Sequence, residues 1–323
     1  MQIRSVLRHT LIGALAALLA LATIIALAAR HIPSETPIGP LARIFDSLAP
    51  WLLAAVCLGA VAVWALGGRW LGYALAFISI LGAVDLIRLH RSYSLPLVPE
   101  AEVAARVIFF NVLRVNATFA DRIATAVLEA DADVVVFTEA VGIRDALPRL
   151  ARHYEILTPC TLDACEIVVA SRLPVRRHWY LSLNPAWEAR YVVTELEAHG
   201  GQTFFVAASH LVKPWFSGVA EPEIGQLRGQ YDWLGLPVLA VGDFNAAPWS
   251  RQMMTLMRQT GMKAPRRAPG TSPASAGCLS IPIDLALVHN GARLVSIAPF
   301  GDNLNSNHRG LLIDLALPVA TTP

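Results

Sequence analysis

Side chains able to bind a cation, move a proton or hold an anion recur where short apolar runs end. The run 107–110 leads into Asn111, 134–137 into Thr138 and Glu139, and 205–209 into His210. The run 238–241 leads into Gly242, Asp243, Phe244 and Asn245, Ile283 is followed by Asp284, and Ser306, Asn307 and His308 precede the last apolar run. Polar groups at the ends of strands held by a rigid sheet are where sites are commonly built. Taken singly, most have an ordinary structural use. Asn111 or Asp243 can close an Asx-turn, Glu139 can face a helix N-terminus, and His210 or His308 can be a hydrogen-bonded, partly buried histidine. Asp284 is harder to explain in this way. It lies in the apolar run 281–288, where an ionised group without a histidine, arginine or metal beside it would be costly.

Together these residues supply what hydrolysis of a phosphate ester requires. A hard cation takes oxygen ligands, for which Glu139 offers a carboxylate and Asn111 a neutral amide oxygen. Asp243 suits the orientation and deprotonation of water, Asn245 suits holding the phosphate, and His308 oriented by Asp284 suits stabilising the pentacoordinate transition state.

The elements that must position these groups are short and β-rich. Runs at 107–111, 134–138, 167–171, 191–196, 203–209, 238–242, 283–288 and 311–317 read as mostly buried strands separated by polar turns. Amphipathic stretches at 119–130 and 250–260, the second behind Ser250 as an N-cap, supply flanking helices. No sequence repeat is evident, and the only biased segment is the Pro-, Ser- and Ala-rich loop 264–277.

In chain order, FFN at 109–111, FTEA at 137–140, SHL at 209–211, VGDFNAAP at 241–248, IPIDLALV at 281–288 and SNHRGL at 306–311 resemble the signature of the endonuclease/exonuclease/phosphatase superfamily. The resemblance covers about 106–317, and GDFN followed closely by Pro is its most specific element. It implies an α/β fold, a four-layer α/β sandwich of two mostly antiparallel sheets flanked by helices, with the site at one end of the sheets. It further implies that Glu139 and Asn111 hold Mg²⁺ or Mn²⁺, that Asp243, Asn245 and His210 act at the scissile group, and that Asp284 orients His308. The chain departs from the family at two points. Asn307 stands on the metal side, where the family usually has aspartate before the histidine, which removes a negative charge there. Leu285 stands where many members have histidine. The competing reading, motivated by Asn307, is a catalytically weakened module that binds phosphate, nucleic acid or lipid, or a membrane scaffold.

Composition adds a membrane. The 323 residues are 55% hydrophobic, and the excess is confined to the first quarter. Three predicted transmembrane helices at about 10–29, 48–67 and 70–88 fall in a membrane region 1–90, followed by a Pro-containing linker 91–104 and a catalytic domain 105–318. Arg4 and Arg8 before the first run, and Ala26, Leu27 and Ala28 at its end, leave a cleaved secretory signal open as an alternative. Either reading places the large domain outside the cytoplasm of a multi-pass protein in a plasma or inner membrane, although the distribution of arginines does not reproduce that orientation. From Arg88 onward, 21 basic and 21 acidic residues balance, a poor footprint for gripping a nucleic-acid backbone.

The expected partners are therefore a phosphate-ester substrate, whether nucleic acid, lipid or small molecule, and membrane lipid, with no protein partner. Specificity falls to loops that mix aromatic with basic groups, namely Lys213, Pro214, Trp215 and Phe216, and Ala186, Trp187 and Arg190. Cys57 reads as a small buried hydrophobe, whereas Cys160 and Cys165 are spaced either for a small disulfide or for two free thiols.

Overall fold

The computed structural model describes residues 2–158, 160, 165–185 and 187–318; Ala186 of the expected specificity loop lies outside them. The chain divides into two compact units, one of Met1–Ser92 with Trp249–Arg251 and one of Tyr93–Pro248 with Gln252 onward.

The first unit is built on helices α1 (Gln2–Ala28), α2 (Gly39–Ala65) and α3 (Arg69–Ser92). All three are long and apolar enough to cross a membrane. Leu18, Ile24, Leu58, Val61, Phe77 and Ile80 point outward and are exposed, as expected of surfaces that face lipid rather than water. Small residues let the helices approach: a Cβ on Gly72 of α3 would sit 2.8 Å from the Ala60 carbonyl oxygen of α2. At one end of the bundle Arg30 lies 3.3 Å from Asp85 and 4.0 Å from Asp46, while Arg8 lies at the other end beside Gly67. Trp249 joins this unit, donating its indole N–H to the Ser47 carbonyl at 3.1 Å and packing on Trp51.

The second unit opens with a minimal pair, β1 (Ser94–Leu95) running parallel to β10 (Ala264–Pro265). Its first main sheet contains β2 (Ala105–Asn111), β3 (Val134–Thr138), β4 (Glu155–Ile156), β5 (Ile167–Ser171), β12 (Arg293–Phe300) and β13 (Gly310–Ala316), in the order β12-β13-β2-β3-β5-β4. The second contains β6 (Val175–Leu181), β7 (Tyr191–Glu197), β8 (Thr203–His210), β9 (Val238–Asp243) and β11 (Asp284–His289), in the order β11-β9-β8-β7-β6. Neighbours are antiparallel except β2 with β3 and β8 with β9.

Strand side chains alternate between faces, and here both faces are apolar. Val107, Phe109, Val134 and Val136 of the first sheet share an inner core with Val206, Ala208, Leu239, Val241 and Ala286 of the second. Ile108, Phe110, Val135 and Phe137 point the other way, onto Ile123 and Val127 of helix α4 (Ala120–Glu129) and Leu150 of the short helix α5 (Leu147–Leu150). Outside the second sheet, Tyr191 packs edge-on against Tyr231 of helix α6 (Ala220–Tyr231). Helix α7 (Arg251–Thr260) begins directly after Ser250 and buries Met253, Leu256 and Met257. The result is two mostly antiparallel sheets face to face with helices outside.

Strands β6 and β12 have no counterpart in the sequence-based expectations. Both are edge strands with broken apolar alternation, β6 carrying Arg176, Arg177 and His178 and β12 carrying Ser296 and Pro299. Charge and proline belong on edges, where they discourage pairing with another chain, and they also erase the pattern by which a strand is read.

The parallel pair β8/β9 approaches unusually closely at Gly242, whose Cβ would stand 2.2 Å from the backbone oxygen of Ser209. Gly242→Ala should therefore destabilise the second unit by about 1–3 kcal/mol by forcing these backbones apart. The drop should appear as an earlier denaturant midpoint for tryptophan fluorescence.

Candidate active site

The two parallel pairs determine where the polar residues meet. Asn111 pairs in register with Thr138 at the ends of β2 and β3, and His210 with Asp243 at the ends of β8 and β9. Because β11 runs antiparallel to β9, its first residue, Asp284, lies opposite Asp243. For the same reason the start of β13 lies beside the end of β2, which brings His308 to this edge, and Ser306 Oγ fixes the approach by donating to the Asn111 carbonyl at 2.7 Å.

Asp243 is the centre of the group, with only 1% of its surface exposed. Its Oδ1 accepts the Asn245 amide at 3.0 Å, closing an Asx-turn, while Oδ2 faces inward. Around Oδ2 stand Asn111 Nδ2 at 3.1 Å, His210 Nε2 at 3.6 Å and His308 Nε2 at 3.8 Å. Each histidine has a carboxylate behind it. His308 Nδ1 bonds Asp284 Oδ2 at 2.8 Å, and His210 Nδ1 bonds Glu166 Oε1. A ring held at Nδ1 by a carboxylate presents Nε2 in a fixed direction, and both rings aim it at Asp243.

Electrostatics follows from this packing. Burial alone would lower the His308 imidazole, but the carboxylates of Asp284 and Asp243 outweigh it and hold the ring protonated up to about 9. Burial would raise the Glu166 carboxyl, yet the hydrogen bond and charge of His210, with the Arg190 and Arg114 guanidinium groups, keep it below its ordinary value.

Glu139 and Asn245 both adopt the left-handed backbone region, with φ of 52° and 51°. That conformation is uncommon for a residue with a side chain and collects at functional sites. It aims Glu139 back over the sheet end, where Oε1 lies 3.4 Å from Asn111 Nδ2 and Oε2 accepts the Arg114 amide at 2.9 Å. Asn245 Nδ2 donates to the Leu211 carbonyl at 2.8 Å.

The donor set fits a hard divalent cation. Neither Glu139 nor Asp243 is paired with a lysine or arginine among the described residues, and the Asn111 amide hydrogens reach both carboxylates, as a cation between them would. Turning that amide over would present its oxygen to the same space at the cost of the bond that Oδ1 accepts from the Leu113 amide at 3.1 Å. Asp243, Asp284 and His308 also form a cluster of metal-binding type, but Asp284 and His308 already bond one another, so the all-oxygen set around Glu139 suits magnesium or manganese better.

The expected residues Asn111, Glu139, His210, Asp243, Asn245, Asp284 and His308 thus converge at one sheet edge. Asn307 differs: its side chain is exposed, and its carbonyl accepts the Ala274 amide at 2.8 Å. Sequence reasoning missed Glu166, which precedes β5 and follows a cysteine. The signal for it was positional, since Ile167 lies opposite Thr138 in the antiparallel β3/β5 pair, leaving Glu166 across from Glu139. Cys160 and Cys165 form a disulfide.

A sandwich of two such sheets flanked by helices is the fold this chain shares with solved structures of the endonuclease/exonuclease/phosphatase type. The model of the Endonuclease/Exonuclease/phosphatase family matches residues 108–308, and the chain belongs to that family. No curated protein matches it. Among solved structures, an endonuclease/exonuclease/phosphatase from Bacteroides vulgatus superposes with a TM-score of 0.55 at 17% identity, covering 66% of this chain and 99% of that one. The human Nocturnin catalytic domain with bound sulfate gives a TM-score of 0.52 at 16% identity, over 68% and 96% of the two chains. An endonuclease/exonuclease/phosphatase from Beutenbergia cavernae gives 0.51 at 19% identity, over 68% and 74%. At these identities the likeness is one of fold.

The His308–Asp284 pair has a defined pH signature. The folded-state value of His308 lies above the ordinary 6.5, so its contribution to stability is complete below about 6.5 and is lost as pH rises through about 9. In metal-free protein, ¹⁵N NMR should find the His308 ring doubly protonated at pH 8, and Asp284→Asn should leave it neutral there.

Proposed function

We propose that this chain is a membrane-anchored, metal-dependent hydrolase of phosphate esters, acting on phosphodiesters. The observation that carries the proposal is the convergence of two carboxylate-held histidines on a buried Asp243 that, among the described residues, has no lysine or arginine ion pair.

Glu139 and Asn111 would hold Mg²⁺ or Mn²⁺, with Asn307 at the outer, metal side. When bound, such an ion supplies positive charge that offsets the charge of the phosphate oxygens. The chain's own groups do the rest. Asp243, fixed through Oδ1 by the Asn245 amide, directs Oδ2 to a water and accepts its proton. Asn245 offers an amide to the phosphate. His308, kept cationic by Asp284, lies across from Asp243 and stabilises charge building on the phosphate oxygens. His210, held by Glu166, faces the same space and can protonate the departing oxygen.

The three helices would anchor the protein, with residues 1–90 as membrane region, 91–104 as connector and 105–318 as catalytic domain. A catalytic domain outside the cytoplasm, in a plasma or inner membrane, is supported by the Cys160–Cys165 disulfide, since such bonds persist mainly in oxidising compartments. A phosphatase reporter fused after Pro323 should be active if that orientation is correct and silent if the C-terminus is cytoplasmic.

The full chain in detergent should hydrolyse bis(4-nitrophenyl) phosphate or another member of a panel of diesters, monoesters and phospholipids, with EDTA abolishing turnover. Asp243→Ala and His308→Ala should each lower kcat/KM about 10²–10⁴-fold without changing the melting profile in kind. A chain inert across the panel with either metal would favour a binding module or scaffold instead.

A further inference from the structure

Beside the centre lies an open cleft of about 370 Å³, in which Glu139 and His210 form one side and Trp187, Arg190, Lys213 and Trp215 the other. We propose that this cleft holds a second phosphate of the substrate, with Lys213 and Arg190 as its donors. The proposal rests on the phosphoester reading and names the substrate class for that site: esters carrying two phosphoryl groups.

The aromatic wall at first suggests a stacked base or a caged quaternary ammonium. The positions of the cations argue against both. The Arg190 guanidinium lies 5.2 Å from the Trp187 ring centre, and Lys213 Nζ lies 5.5 Å from that of Trp215. A positive charge already lies over one face of each ring, which repels an ammonium there and leaves less aromatic face for a stacked base. Trp187 also packs edge-on against Phe216 at 5.1 Å, so the rings serve as a scaffold for the cations. An apolar backing lowers the local dielectric and strengthens the attraction of those cations for an anion.

The cations also have unused capacity. Arg190 gives one nitrogen to Glu166 Oε1 at 3.3 Å, but its Nε is buried and has no hydrogen-bond partner among the described residues. Lys213 forms no ion pair among them and lies over the Trp215 ring. A phosphate in the cleft would supply the acceptor that Lys213 lacks, with the Arg190 guanidinium behind it adding positive charge. From Arg88 onward the chain is formally neutral, whereas this cleft sets Arg114, Arg190 and Lys213 against two carboxylates, Glu139 and Glu166, with Lys213 the cation not engaged by Glu166.

The test uses the full chain in detergent with Mn²⁺, following inhibition of bis(4-nitrophenyl) phosphate hydrolysis by thymidine 5′-monophosphate, thymidine 3′-monophosphate and thymidine 3′,5′-bisphosphate. The wild type should bind the bisphosphate about tenfold or more tightly than either monophosphate, the worth of one charge-assisted contact. Lys213→Ala should bring that ratio close to one, and Lys213→Arg should restore it. The ratio is insensitive to the fraction of correctly folded protein. No bisphosphate preference in the wild type, or a preference that survives Lys213→Ala, overturns the proposal while leaving the hydrolase reading intact. A wild type that does not hydrolyse the diester overturns both.

Discussion

Asp243 sits almost without exposed surface at the end of β9, with no arginine or lysine ion pair among the described residues. A buried carboxylate in that position must be answered by donors or cations, and every neighbour is arranged to do so. The Asn245 amide holds one oxygen; the other faces two histidine rings and the Asn111 amide. Each histidine is in turn held by its own carboxylate, so the positive charge it can carry is defined by the fold. The arrangement is acid-rich by construction. Glu139, Glu166, Asp243 and Asp284 meet with two histidines and the guanidinium groups of Arg114 and Arg190, leaving Glu139 and Asp243 as the pair that a divalent cation would complete.

The topology makes this concentration possible. Each sheet is antiparallel except for one parallel pair, and the two parallel pairs end at the same edge of the sandwich. Parallel neighbours bring two C-terminal residues side by side, which an antiparallel hairpin cannot do. Their antiparallel neighbours contribute N-terminal residues, Asp284 directly and His308 through the short turn before β13. The inner core, filled by Val107, Phe109, Val206, Leu239 and their neighbours, fixes the spacing of the sheets, and with it the spacing of the two halves of the site.

Much of this was legible in the sequence because buried strands advertise themselves. Runs such as 134–138 and 238–242 are continuous and apolar, and the polar residues that end them, each with an ordinary use when taken singly, arrive as an ordered set. The site residues were visible as strand-end punctuation, and Asp284 as a charge in an apolar run. What was not legible depended on pairing. Glu166 has no apolar run before it, and its place opposite Glu139 comes only from the register of β3 with β5. Strands β6 and β12 were hidden by the charges and proline that suit edge positions. Cys160 and Cys165 were equally consistent with a bridge and with free thiols, because loop closure depends on backbone geometry that spacing does not specify.

The three apolar helices are a separate problem in the same chain, solved by small residues and by gathering Arg30, Asp46 and Asp85 at one end of the bundle. In the other unit, Glu139 and Asp243 have no lysine or arginine partner among the described residues, and a divalent cation held by Glu139 and Asn111 would supply the missing positive charge. Titration of Mn²⁺ into the purified full chain, followed by electron paramagnetic resonance, tests it directly. Saturable binding that is lost in both Glu139→Gln and Asn111→Ala is expected, whereas binding that persists unchanged in those variants, or is absent from the wild type, would rule out a cation at this place.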